Sequence, residues 1–387
     1  MSFTTVTSLK NNISRLLKKQ GYSIKPEGVF ILKNNEHEGK RKVHELAKAE
    51  RANKSELFLL GKIPLVQKYL IDGKDLDVSK IDPEIIEIKS GSQEDDLFRW
   101  WNIVWWSLPN EHAYGRQMRF IIWDKYHNAP IGLIGLQSPI LSWGARDKYL
   151  GIKPKERDFW INQSLSAQRI GALPPYNDIR GGKLIASLMT SEIIRKKFQT
   201  KYKSQKTLLL KRVLPSNLLF ITTTGAFGKS SIYNRLKFNG EVVAKFIGYT
   251  QGSGTFHISN ALYEDLVVYL KKRGFDIERG YGNGPSRKLR LIDQALQLLG
   301  FTNGVTHGIK RAVYLFPMVE NLKEVIQSNK KPIWYHRNTA EITQFWKERW
   351  AMPHAQKSKN YQDFSKNDFI NQTRKDFKKY KQLCKNI

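Results

Sequence analysis

Along the first hundred residues, apolar and charged positions recur at a helical period. In 8–19, Leu9, Ile13, Leu16 and Leu17 share one face with lysines opposite, which predicts an amphipathic helix. The stretch 40–60, rich in Ala, Glu, Lys and Leu, continues likewise until the turn cluster at 71–75 and the step Ile81-Asp82-Pro83. From 116 to 138 the pattern changes: two apolar runs flank DKYHNAP and predict a β-hairpin. Residues 158–171 read as the next strand region, and after Pro174 and Pro175 a helical period resumes from Leu184. LLLKRVL and LLFITTT read as strands around Pro-Ser-Asn, and SSIYNRLKF (230–238) as a helix. Further on, TQGSGTFHIS reads as a glycine-punctuated strand. The stretch 259–274 reads as a helix capped by Ser259 or Asn260 and stopped by Gly274. Alternating strands and helices of this kind predict an α/β fold.

Charge changes the picture most. Lys and Arg number 65 against 35 Asp and Glu, a formal +30, which favours a nucleic-acid partner through counterion release. Heavy lysine usage or an acidic protein partner would give the same excess. Hydrophobic content of 40% and aromatic content of 12% are ample for folded cores. No apolar run reaches membrane-spanning length and no basic-then-apolar leader opens the chain, so a cytoplasmic protein without membrane contact is expected. The single cysteine, Cys384, cannot close an internal disulfide, which fits a reducing compartment. The histidines show no metal-ligand spacing, so no metal site is expected.

Several short stretches carry candidate chemistry. TTTGAFGKSS (222–231) ends like a phosphate-binding loop, but Thr223 stands where the first glycine belongs and Gly225 comes two residues late. A loop so shortened does not close on phosphate, and a nucleotide-hydrolysing reading falls. Glu87-Ile88-Lys89, with Asp77 or Asp82 upstream, has the form of a metal-dependent nuclease strand; an edge strand with solvated charges is the stronger reading. Four tryptophans stand at 100, 101, 105 and 106, where a core wedge is favoured over base stacking. His257, Asp265 and His307 form at most a weak acid–base set.

Basic residues supply the candidate nucleic-acid contacts. A glycine-rich turn, Gly280 to Gly284, precedes Pro285 and a helix whose first turn carries Arg287, Lys288 and Arg290. Successive N–H groups and three cations at one helix start could grip phosphate, or the segment is a tight turn with ordinary surface cations. Lys310 and Arg311 extend the same patch. From Lys357 onward nine Lys and Arg face three Asp among Tyr361, Phe364, Phe369, Phe377 and Tyr380. This predicts a basic helix, with Lys378 and Lys379 as candidate contacts or as a solvated surface.

Two resemblances rest on these residues. SSIYNRLKFNG resembles the last helix of the GNAT acyltransferase fold, with Tyr233 in the tyrosine position and Lys237-Phe238 in place of Gly-Phe. The helix after the fourth strand of that fold opens with R/Q-x-x-G-x-G/A, whose N–H groups hold the pyrophosphate of acetyl-CoA. The matching segment here is Gly181–Ala186, with Leu184 on a glycine position and the leading Arg displaced to Arg180, so no cofactor is expected. Blocks at 113–124, 142–152, 248–300, 307–326 and 345–350 resemble, in order, the DruA family of the Druantia anti-phage system. That resemblance spans about 80–352 and implies phage defence or DNA-mobility work beside partner proteins such as a helicase.

The reading is therefore α/β (α+β), with a helical N-terminal region (1–107) and a GNAT-like mixed-sheet domain (108–246). An α/β C-terminal segment (247–352) and a basic helical tail (353–387) complete it. The expected function is a non-catalytic DNA-binding component. A GNAT-type acyltransferase, a transposon-associated protein and a metal-dependent nuclease are the alternatives.

Overall fold

Seven strands from distant parts of the chain meet in one mixed sheet. They are β1 (Pro83–Glu87), β2 (Gln117–Asp124), β3 (Ala129–Gln137), β4 (Ser164–Ala172), β5 (Phe220–Thr224), β6 (Lys245–Tyr249) and β7 (Ala312–Pro317). Their spatial order is β6-β7-β5-β4-β3-β2-β1. Every neighbouring pair is antiparallel except β4 with β5. This computed structural model describes residues 6–385 apart from 35, 107, 109–114, 208–210, 256, 279–285 and 303. The α/β class expected from the pattern is what the chain adopts. The sheet crosses the boundaries at 107/108 and 246/247, because β1 and β7 lie outside the central segment.

Among the described helices, nine supply the cores around and beside this sheet: α1 (Val6–Lys19), α2 (His37–Lys54), α3 (Gln93–Val104), α4 (Gly181–Leu188), α5 (Glu192–Tyr202), α6 (Asn260–Lys272), α7 (Arg287–Leu298), α8 (Thr339–Trp346) and α9 (Lys366–Lys385). Helices cover both faces of the sheet, so β3 is buried from Ala129 through Leu136 and shows no polar alternation. On β2 the period of two is preserved. Phe120 and Ile122 join a core with α4, α5 and α8, while Ile121 joins the opposite core with α3 and α9. A third core unites α1 and the start of α2 with α6 and α7, so the N-terminal amphipathic helix finds its apolar partners far along the chain.

Three local expectations are corrected. SSIYNRLKF is not a helix: it makes turns and then a hairpin, Lys237–Phe238 against Glu241–Val242. Asn239 and Gly240 both have positive φ (47° and 84°), the two-residue turn for which Asn-Gly is the favoured pair. TQGSGTFHIS forms no strand among its described residues, only an isolated bridge from Ser253 to Thr306. Gly252 at φ +81° turns the backbone away from an extended course. LLLKRVL gives only a bridge from Lys206 to Val213, and its residues 208–210 lie outside the described set.

Candidate nucleic-acid interface

The one parallel pair opens a cleft. β4 and β5 are in register only over Ser164–Ser166 and Phe220–Thr222. Thr223 Oγ1 donates to Ala167 O at 2.8 Å, and beyond it the strands part. A cavity of about 430 Å³ lies there, walled by Gly171, Thr224, Gly225 and Trp106, with Arg180 and Lys183 at its edge. Helix α4 starts at this rim. Arg180 takes a left-handed φ of 65°, and a Cβ at Gly181 would stand 2.5 Å from the Tyr176 carbonyl oxygen. Only glycine lets the helix begin so close to the chain before it. Leu184 is fully buried in the core under the sheet.

A second cavity, about 500 Å³, shares Lys183 with the first and is lined by Arg235, Lys237, Phe345, Arg349 and Trp350. The Asn-Gly hairpin and the turns before it carry Arg235 and Lys237. Helix α8 runs at Trp346 into a π-helical turn, Lys347–Ala351, that carries Arg349 and Trp350. Trp346 Nε1 donates to the Arg180 carbonyl at 3.1 Å, tying α8 to the start of α4. Lys183 Nζ donates to the carbonyls of Ser231 and Ile232 at 3.3 and 3.2 Å and stands 5.3 Å from the Trp350 ring centre. Burial, and then the neighbouring Arg180, push its pKa below the usual lysine value. No carboxylate is among the described residues that line either cavity, and none of these five cations pairs with a described carboxylate. Cations held side by side without counter-charge, against aromatic walls, are a physical match for a polyanion.

The cations foreseen from sequence lie elsewhere. The turn Gly280–Gly284 and Pro285 fall outside the described residues. Ser286 caps α7 by accepting from Leu289 N at 3.3 Å. Arg287 is exposed and donates to Glu278 at 3.2 Å. Lys288 donates to Asn260 Oδ1 at 3.2 Å and covers the Tyr263 ring, and Arg290 is half-buried. Lys310 is exposed, but its neighbour Arg311 turns inward to the His44 ring at 3.2 Å. Lys378 and Lys379 are exposed on α9, and Lys379 donates to Glu45 at 2.8 Å. Arg311 and Lys379 thus both reach α2, at adjacent residues. The tail helix is no free arm: Ile370 and Phe377 are buried, and Phe369 stacks on Trp101 with ring centres 5.4 Å apart.

The other motifs have structural partners. Gly225 N donates to Ala312 O at 2.8 Å and Ser230 N to Tyr314 Oη at 2.9 Å, so the loop resembling a phosphate-binding loop is fastened to β7. Glu87 sits on edge strand β1 with Lys201 at 2.9 Å and Lys197 at 3.6 Å on its carboxylate. Trp100 and Trp101 are core residues, as expected; Trp105 and Trp106 are half-buried and reach the end of β4. His257 and His307 do lie together, 6.2 Å apart, with His44 close by, but Asp265 is exposed on α6 and outside the cluster. Burial lowers all three histidines, His257 to about 4, His307 to about 3 and His44 to about 2, with Arg311 adding to the last two. They are neutral interior groups at physiological pH.

Reading in sequence order does not bring the five groove cations together as nucleic-acid contacts, since they are scattered from 180 to 349; Arg180 and Lys237 enter it only through the GNAT resemblance. The available signals were Asn239-Gly240, read within a helix, and FWKERW, noted only as part of a block.

A family model described as "Druantia protein DruA" matches residues 34–328. A curated relative of the same description from Escherichia coli (strain UMEA 4076-1) is 32% identical over 379 residues, covering 94% of this chain and 93% of its own. No solved structure matches. The match reaches the N-terminal helices, beyond the blocks that first carried the resemblance. On both counts the chain belongs to the DruA family of Druantia defence-system proteins.

Proposed function

We propose that this chain is a DNA-binding component of Druantia anti-phage defence, acting in the cytoplasm without catalysis of its own and beside partners such as a helicase. The observation that carries this is the groove: Arg180, Lys183, Arg235, Lys237 and Arg349 converge without a described carboxylate in a chain of net charge +30. Arg287, Lys288, Arg290, Lys310 and Lys378 would add cations on other faces, while Arg311 and Lys379, foreseen as contacts, are held by His44 and Glu45 of α2 and would reach a phosphate only on leaving them. No described helix is long and apolar enough to cross a membrane. The two lysines on Glu87 favour a structural role for that carboxylate; Mg²⁺-dependent cutting lost in Glu87→Ala would contradict this. The test is a titration with single- and double-stranded DNA at several salt concentrations. Binding should weaken linearly on a log–log plot as phosphate contacts are screened. Absence of binding at moderate salt refutes the proposal.

One observation favours a second reading. The helix after the fourth strand of the sheet is α4, and its start borders the cleft between the parallel strands, which supports a GNAT-like scaffold. Leu184 and the displaced Arg180 depart from the cofactor motif. Thermal stabilisation by acetyl-CoA would support an acyltransferase, since a ligand that binds only the folded state must raise its stability.

A further inference from the structure

We infer that the groove takes a single strand with unstacked bases, phosphates on its cations and a base against Trp350. This deepens the DNA-binding reading and rests on it. Three features select a single strand over a duplex. First, the two cavities are concave spaces of about 500 and 430 Å³, a size that suits a nucleotide or two and not the convex side of a duplex. Second, each cavity has a tryptophan in its lining: Trp350, edge-on to Phe345 at 5.4 Å, in one, and Trp106, packed on Gly171, in the other. Both are half-buried, so each keeps ring surface against which a base face can lie. Third, Lys183 lines both cavities, so a strand that occupied both would pass it. Two of its three ammonium hydrogens go to Ser231 and Ile232 carbonyls, leaving one for a phosphate oxygen.

The π-helical turn explains how Trp350 gets there. Residues Lys347–Ala351 widen the helix after α8, and such bulges recur at functional sites. Within this turn Arg349 is exposed and Trp350 packs inward beside Lys183, so one short segment presents a cation and a stacking surface to the same groove.

The test measures affinity of the full-length chain for a single-stranded oligonucleotide, a duplex of equal length and an abasic single strand. Wild type is compared with Trp350→Ala, Trp350→Phe and Lys183→Ala/Arg235→Ala/Arg349→Ala. The single strand should bind more tightly than the duplex. Trp350→Ala should weaken single-strand binding about 5- to 150-fold, with no effect on the abasic strand, and Trp350→Phe should recover most of the loss. The triple variant should flatten the salt slope by about 2, roughly 0.7 for each lost contact to a single strand. Urea midpoints of all variants separate lost binding from lost folding. Single-strand and duplex binding that is equal, and unchanged in every variant, overturns the groove inference while DNA binding stands. Equal loss on normal and abasic strands in Trp350→Ala also overturns it, because the ring would then not be stacking. Failure to bind any of the three nucleic acids removes the DNA-binding reading itself.

Discussion

Acidification from pH 7.5 to 5.5 probes the buried histidines directly. His257, His307 and His44 are 0%, 4% and 1% exposed, and their folded pKa values lie at about 4, 3 and 2. In the unfolded chain each returns to its ordinary value of 6.5. As pH falls below that value the unfolded state takes up protons that the folded state refuses, so the folded state loses ground. The stability held by these depressed values is whole above pH 6.5 and is lost progressively as pH drops toward the folded values. Each histidine costs about 1.4 kcal/mol between pH 7.5 and 5.5, hence about 4 kcal/mol for the three. Urea unfolding followed by tryptophan fluorescence reads this, since Trp100 and Trp101 are buried. At an m-value of about 3 kcal/mol/M the midpoint falls by roughly 1.3 M. Self-repulsion of the basic surface also grows in acid, but 1 M KCl shortens its reach to about 3 Å and leaves the interior groups alone. A midpoint that is the same at both pH values in 1 M KCl would refute the reasoning, for the histidines would then be charged inside the folded protein.

Three further expectations rest on named contacts. Arg287→Ala/Lys288→Ala/Arg290→Ala should flatten the salt slope for DNA by about 2 to 3 if α7 grips phosphates; an unchanged slope places the contacts off this helix. Phe369→Ala removes the ring stacked on Trp101 and should cost about 2 kcal/mol, less than a fully buried Phe because Phe369 is half-buried. Faster proteolysis within α9 is the readout, and wild-type cleavage rates would mean that Ile370 and Phe377 alone hold the tail. Gly181→Val forces a Cβ against the Tyr176 carbonyl at 2.5 Å and should cost about 1–3 kcal/mol, seen as a lower Tm. An unaltered Tm would mean that α4 can shift at no cost.

What was legible in sequence depends on the range of the interactions that decide each element. The hairpin of β2 and β3 and helix α6 with its Ser259 cap depend on neighbours along the chain and were readable; the burial of Trp100 and Trp101 was readable from their bulk, although their partners Leu59 and Phe369 lie far along the chain. The helix expected at 230–238 failed because its apolar spacing is brief and Arg235 takes a left-handed φ of 57° inside it, while Asn239-Gly240 closes a hairpin instead of capping a helix. Family membership was legible because it rests on many ordered blocks. The basic tail was legible as a helix, but its docking depends on Trp101, Glu45 and Glu56, which periodicity within the tail does not reveal.

The groove shows why the candidate site was the least legible feature. A parallel pair in register over only three residues opens a cleft beyond them, and helix α4 starts at its rim after the short 3₁₀ turn Tyr176–Ile179 that follows β4. The sheet therefore dictates where a site can be, but it contributes little of the chemistry. Most of the charge comes from two pieces laid over the cleft: the turns and hairpin from 230 to 242, and the π-helical turn after α8. Each piece alone offers only two cations, Arg235 and Lys237 in one and Lys347 and Arg349 in the other, and nothing in either spacing points to nucleic acid. The Trp346-to-Arg180 and Lys183-to-Ser231 hydrogen bonds, with the packing of Phe238 on Phe345, bring both pieces to the start of α4. Such a division, a fixed cleft and variable coverings, is how a scaffold changes ligand without changing fold. It predicts that exchanging the exposed residues of 230–242, with the buried Tyr233, Leu236 and Phe238 kept, would alter nucleic-acid affinity while leaving the core of the sheet intact. Circular dichroism and a DNA titration on the exchanged protein would check both halves, and a collapsed sheet with affinity retained would reverse the assignment.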